Sequence, residues 1–146
     1  MRFLATLLFT FSTLFSANYF SLDDVNSLHL HMSNKLEFMD EKQKKSLKKD
    51  ITDKLKKAGF KFGKVDSINF LVKLKSVEID EGEVVHISIG LGENVTASRG
   101  QDIDIFAYTF YMDTLLEADE PYEETIYTIN RLISKFIDAH KFDNEQ

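Results

Sequence analysis

Hydrophobic positions along the chain change their spacing, and each spacing predicts one element of secondary structure. Apolar and polar residues alternate from Leu28 to Met32, which is typical of a strand with one buried face. From Met39 to Ala58 apolar residues instead recur three and four positions apart, as in an amphipathic helix. Asp40 and Gln43 have the spacing of a capping box, and Gly59 is a typical helix stop. The first half of the chain is therefore predicted to form a strand and then a helix.

Three further strands follow. Residues 68–74 and 85–91 alternate between apolar and polar, whereas 103–115 has apolar or aromatic residues on both faces. The apolar phase changes near Lys75 and Ser76, where we expect a β-bulge. The tripeptide 80–82 (Asp-Glu-Gly) predicts a hairpin turn between the first two of these strands.

The last element is a helix that begins near Pro121, because proline suits the first helical position. Apolar residues recur at helical spacing from Tyr122 to His140. The order of elements is β-α-β-β-β-α. It predicts an α+β domain with a four-stranded, mostly antiparallel sheet and two helices packed on one face.

The first residues have the pattern of an export signal. Arg2 precedes a 13-residue apolar block, which is too short to span a bilayer about 30 Å thick as a helix. We expect residues 1–17 to be a signal peptide cleaved after Ala17, and residues 18–146 to be one domain. A buried helix and an uncleaved anchor are the alternatives. The chain has no cysteine, so disulfides and a cysteine-linked lipid are excluded. The expected location is periplasmic or secreted, with the chain soluble after cleavage.

Charge is distributed unevenly along the sequence. Residues 35–75 contain 13 lysines and 6 acids, whereas residues 76–146 contain 4 basic and 16 acidic residues. The first helix alone carries 8 lysines. They form either a solvated helix face or a basic surface for an anionic envelope component. The candidate contacts on this helix are Lys44, Lys45, Lys48, Lys49 and Lys56. The acidic net charge of −6 disfavours nucleic acid as a partner.

The face of the sheet turned away from the helices is the second candidate surface. It would carry one row of the fourth strand together with Asn69, Leu71, Lys73, His86, Ser88 and Gly90. That row is either Phe106, Tyr108, Phe110 and Met112, or Ile103, Ile105, Ala107 and Tyr111. Either row exposes more apolar area than a lone domain usually does, so we expect a protein partner, self-association or an apolar ligand there. Lys73 and Tyr108 are the candidate contacts. A dimer, or a covering N-terminal segment with Tyr19, Phe20 and Leu22, would also explain it.

Histidines provide the strongest metal-like pattern in the sequence. His29 and His31 lie two apart on a predicted strand and share a face, and His86 could supply a third ligand for zinc. The alternative is that all three are outward residues of one-sided strands. No motif of a nucleophile, a phosphate-binding loop or a dinucleotide site is present, so we assign no catalytic residue and no cofactor.

The predicted topology resembles small accessory components of bacterial envelope assembly and transport systems. The likeness is one of fold and transfers no site residues. Many of those proteins are lipoproteins, and the absence of cysteine departs from that pattern. The sequence therefore predicts an exported, non-enzymatic binding protein of the bacterial envelope. A zinc-binding protein or a metal-dependent hydrolase that uses the three histidines is the alternative.

Overall fold

The bounds of helices and strands follow the apolar pattern closely. A computed structural model describes residues 21–80, 82–99 and 102–145. The elements are β1 (Ser27–Lys35), α1 (Glu41–Lys57), β2 (Lys61–Phe62), β3 (Ile68–Ile79), β4 (Gly82–Ala97), β5 (Ile103–Ala118) and α2 (Pro121–Asn144). The predicted signal peptide, residues 1–17, lies outside the described residues. Within those residues, no helix is both long enough and apolar enough to cross a membrane.

The sheet has five strands in the order β2-β1-β3-β4-β5. The pairs β3–β4 and β4–β5 are antiparallel, but β1 is parallel to both β2 and β3. The α+β class and the two helices are confirmed, whereas the four-stranded, mostly antiparallel sheet is corrected to a mixed five-stranded one. Two facts explain the difference. Because α1 is a crossover connection, β3 runs beside β1 in the same direction. The strand β2 has only two residues, which is too few to show any periodicity.

Both helices lie on the same face of the sheet and form one core with it. The Phe136 ring of α2 lies at the centre of this core, with ring centroids 4.9 Å from Phe70, 5.3 Å from Phe110 and 5.4 Å from Phe60. The residues that α1 buries are Leu47, Ile51 and Leu55. We call this side of the sheet the covered face and the other side the open face.

Side chains and backbone groups close the helix ends as the sequence indicated. The Gln43 N–H donates to Asp40 Oδ1 over 2.7 Å, and the Asp40 N–H donates to Gln43 Oε1 over 2.9 Å, which completes the capping box. At the other end of α1, Gly59 has a φ of +105°, which a residue with a side chain rarely adopts. The carboxylate of Glu124 accepts two backbone N–H groups just before α2, at 3.0 and 3.1 Å.

The predicted bulge at Lys75 and Ser76 is wrong. β3 and β4 pair without a register shift from Asn69 to Ile79, and the apolar Val77 and Ile79 are exposed residues near the end of the hairpin. The register shift lies instead between β4 and β5, where Thr109 is the extra residue. Its hydroxyl donates a hydrogen bond to the Glu93 carboxylate. This shift decides which side chains of β5 reach the open face.

The segment before β1 belongs to the main core. Leu22 is 1% exposed and packs in the core cluster, not on the open face where a covering N-terminal segment was considered. Its N–H donates to Asp143 Oδ2 over 2.9 Å, and His140 Nε2 donates to the Val25 carbonyl over 2.8 Å. These contacts fasten the segment to the end of α2. Tyr19 and Phe20, the other two residues of the proposed cover, lie outside the described residues.

Candidate functional site: a cleft on the open face

Strand register places the open-face residues in rows that cross the sheet. Three consecutive rows run over β3, β4 and β5: Leu71–Gly90–Tyr111, Lys73–Ser88–Asp113 and Lys75–His86–Leu115. The central strand contributes small residues at Ser88 and Gly90, whereas the flanking strands contribute long side chains. The result is a trough with a low floor and raised sides.

The β5 bulge gives the open face a composition that neither predicted row had. Before the bulge Phe106 and Tyr108 face the open side, because Tyr108 is paired with Gly92. After it, the open side takes Tyr111, while Phe110 is buried on the covered face. The two tyrosine rings therefore come together, with centroids 5.3 Å apart and an edge-on arrangement. Both predicted rows are corrected by this one extra residue.

Two glycines of β4 let aromatic rings of β5 lie down over the sheet. A Cβ at Gly90 would be 2.8 Å from Tyr108 Cδ1 and 2.7 Å from the Phe110 carbonyl oxygen, so no other residue fits without a shift. A Cβ at Gly92 would overlap the Phe106 ring. The glycines are thus needed for space on the open face: Gly90 makes room for the Tyr108 ring and Gly92 for the Phe106 ring.

We define the open-face cleft as the shallow cavity of about 380 Å³ that these features enclose. Its lining residues are Lys73, Lys75, His86, Ser88, Tyr108 and Tyr111. Lys73 Nζ lies 5.3 Å from the centroid of the Tyr108 ring, within the range of a cation–π contact. His86 Nε2 lies 3.1 Å from Asp113 Oδ2.

The cleft offers more donors and positive charge than its neighbours neutralise. In the ranges that the structure describes, no carboxylate forms an ion pair with Lys73 or Lys75. Ser88, which is 3% exposed, provides a hydroxyl at the floor. Two ammonium groups, two phenols and a hydroxyl around one cavity suit an anionic group.

The three histidines of the metal hypothesis are not brought together. The His29 and His31 rings stack with centroids 4.5 Å apart, and His31 Nε2 donates to Asn69 Oδ1 over 2.9 Å. Gly90 of β4 lies in the same row across the sheet as His31. His86 is four residues from Gly90 along β4, which corresponds to about 13 Å of strand. Among residues 21–80, 82–99 and 102–145 no three side chains that ligate metals form a cluster.

The structure divides the proposed partner contacts between two opposite surfaces. Lys73 and Tyr108 lie in the open-face cleft, whereas the candidate lysines of α1 belong to the layer on the covered face. Those helix lysines are Lys44, Lys45, Lys48, Lys49 and Lys56.

Some lysines of α1 form ion pairs with acidic residues of the same helix. Lys44 Nζ lies 3.3 Å from Glu41 Oε1, and Lys49 Nζ lies 2.6 Å from Asp53 Oδ2. The hydrogen bond between the second pair raises the pKa of Lys49 and lowers that of Asp53, although both side chains are exposed. Burial lowers the pKa of Lys54, whose ammonium donates to the Asn130 carbonyl of α2 over 2.9 Å.

Sequence reasoning missed part of the cleft. Lys75 was not expected on this face, and Tyr111 stood in only one of the two alternative rows. His86 and Ser88 were expected there but were not named as partner contacts. Their pattern is visible in the sequence: two lysines two positions apart, and small residues at 88, 90 and 92. Only the register of three strands shows that these patterns face one cavity.

Comparisons with known proteins add little. No protein-family model matches the sequence, and no curated protein matches it. Among solved structures, the chain is similar to a minor lipoprotein from Acinetobacter baumannii, at 11% identity and a TM-score of 0.31. The alignment covers 82% of this chain and 91% of that one.

Proposed function

We propose that this chain is a non-enzymatic binding protein of the bacterial envelope that holds an anionic group of a partner in the open-face cleft. The observation that carries the proposal is the pair Lys73 and Lys75, which face one cavity beside two tyrosines. No carboxylate of the described residues is ion-paired to either lysine. The envelope location is supported by the export-signal pattern of residues 1–17.

The shape of the cleft favours an anion attached to a ring. An exposed ion pair contributes about 0 to 1 kcal/mol, so two lysines alone would hold a free ion weakly. A ring stacked near Tyr108 or Tyr111 would add apolar contact of about 0.5 to 1.5 kcal/mol. The ligand group that fits best is therefore a carboxylate or phosphate next to an aromatic ring or a sugar ring.

The arrangement of polar groups argues for binding over catalysis. Ser88, His86 and Asp113 share the open face, but no hydrogen bond joins Ser88 to His86 in the part of the chain that the structure describes. Strand β4 is central in the sheet, so its backbone N–H groups pair with β3 and β5. An oxyanion would find no free backbone donors at the cleft floor.

The test is a nuclear magnetic resonance titration with phenyl phosphate and with benzoate. We expect saturable shifts of backbone amides in residues 73–75, 86–88 and 108–111, and weaker binding at higher salt because charge is screened. The double variant Lys73→Gln/Lys75→Gln should abolish the shifts.

The matched control is Lys45→Gln/Lys48→Gln, which removes the same charge from α1. It should bind both probes as the unmodified protein does. Shifts that map onto α1, or that persist when Lys73 and Lys75 are replaced, would overturn the cleft as the site. Loss of binding in the α1 control alone would instead assign anion binding to the lysine helix.

A further inference from the structure

The strand β5 presents a long edge that the described part of the chain does not cover. It is the last strand in the sheet order, has 16 residues, and pairs only with β4. The opposite edge strand, β2, has two residues. Proteins usually keep edge strands short or cover them, because free backbone groups attract another strand. Leu115 is 71% exposed along this edge.

A groove of about 410 Å³ lies beside this edge, between β5 and α2. Its lining residues are Leu116, Glu123, Glu124, Tyr127, Thr128 and Arg131. Tyr127 is 70% exposed. Asn130, which α1 contacts through Lys54, lies on the other flank of α2, so the groove opens toward the outer edge of the sheet. A strand added to β5 would place alternate side chains in this groove.

The other side chains of an added strand would lie beside acids. β5 contains Asp104, Asp113 and Glu117 and no basic residue, and all three acids fall on the open-face side of the strand. Two antiparallel copies of β5 would place these acidic rows beside each other. Like charges across strands are destabilising, so a second copy is the poorer occupant and a basic segment the better one.

We propose that β5 accepts an extended basic segment of a partner protein as a sixth strand. Main-chain hydrogen bonds to the edge of β5 supply the affinity. Side chains that alternate between the two faces of the added strand supply the specificity. Apolar residues of the segment point into the groove at Leu116 and Tyr127, and lysine or arginine residues point toward Asp104 and Glu117. This site is separate from anion binding in the open-face cleft and does not depend on it.

The probe is a synthetic peptide of about ten residues in which valine and lysine alternate. We expect saturable binding to the full chain by fluorescence anisotropy, with slower hydrogen exchange at the backbone amides of β5. A peptide with glutamate in place of lysine should not bind. The lysine peptide with N-methyl groups on alternate residues should also fail to bind, because it lacks donors along one edge.

The protein variant Asp104→Lys/Glu117→Lys should weaken the lysine peptide by about tenfold, since two exposed charge contacts become repulsive. The control Glu37→Lys/Asp66→Lys makes the same change of charge in the loops that follow β1 and precede β3, away from β5. It should bind the peptide as the unmodified protein does. Circular dichroism checks that both variants are folded.

Three results would overturn the proposal. Equal binding of the N-methylated peptide would show charge attraction without strand addition. Slowed exchange in α1 with unchanged β5 amides would place the peptide on another surface. A dimer of the free protein in sedimentation, with β5 amides already protected, would assign the edge to a second copy.

Discussion

The two faces of this sheet are built from the same strands and differ in what their alternate residues do. On β3, Val72 is fully buried under the helices, while its neighbour Lys73 extends into the open-face cleft. On β4, Ile87 belongs to the core and Ser88 forms the cleft floor. One residue of register separates the two roles. Substitutions on the covered face should therefore change stability, and those on the open face should change binding.

The largest expected effect is on the covered face. Phe136→Ala removes a fully buried ring that packs against three other phenylalanines, so we expect the free energy of unfolding to fall by about 3 to 5 kcal/mol. Urea denaturation measures this. The open-face counterpart Tyr111→Ala should cost about 1 kcal/mol, because its ring is 37% exposed. Equal costs for the two substitutions would remove the distinction between the faces.

Gly90→Ala should be an exception to this distinction between the faces. It lies on the open face, but we expect it to reduce stability as well as binding. The new methyl group would lie 2.7 Å from the Phe110 carbonyl oxygen and against the Tyr108 ring. We expect a loss of about 1 to 3 kcal/mol from overpacking, together with weaker phenyl phosphate binding. The control Ser88→Ala adds no volume at a neighbouring position. An unaltered melting temperature for Gly90→Ala would show that Tyr108 does not need the space.

A smaller effect on stability is expected at the N-terminus of α1, one of the two helices on the covered face. Asp40→Ala removes an acceptor for the Gln43 N–H and one half of the capping box, so α1 should lose about 1 kcal/mol of stability. Asp50→Ala, an exposed position inside the same helix, is the control and should be nearly neutral. Thermal denaturation compares them. Similar midpoints would mean that core packing of α1, not its cap, holds the helix start.

The smallest stability effect is expected for Lys73→Gln/Lys75→Gln. Neither ammonium is ion-paired within the described residues, so the free energy of unfolding should change by less than about 0.5 kcal/mol. Loss of anion binding at unchanged stability would complete the contrast with Phe136→Ala. A large destabilisation would show instead that these lysines support the sheet, and would count against a binding role.

Sequence reasoning succeeded where the signal is local. The capping box at Asp40 and the start of α2 at Pro121 depend on residues close together in the sequence, and the structure contains both. It failed where a distant strand decides the outcome. The phase change at Lys75 predicted a bulge. In the structure β3 pairs with β4 without a register shift, and the out-of-phase residues Val77 and Ile79 are exposed. The true bulge at Thr109 cannot be located from a segment that has apolar residues on both faces.

The candidate site shows the same division. Alternation along one strand identified Lys73 as an open-face residue, whereas Tyr108 stood in one of two rows that the sequence left open. The cleft contains both. Ser88 and His86 were expected on the same face, but only the pairing of β3, β4 and β5 brings Lys75 and Tyr111 beside them. The helix lysines and Lys73 were expected on different surfaces, and a whole sheet separates them, because α1 packs on the covered face.

By itself, the sequence determined the types of the six longer elements, the helix ends, the buried faces of β1, β3 and β4, and the uneven charge along the chain. These depend on periodicity and on hydrogen bonds between near neighbours. Tertiary structure alone decided the strand order, the parallel pairing of β1 with β3, the bulge at Thr109 and hence the cleft. Those features depend on which distant backbones pair and at what register. A side-chain pattern of period two is compatible with many such pairings, so packing against the helices and between strands selects one.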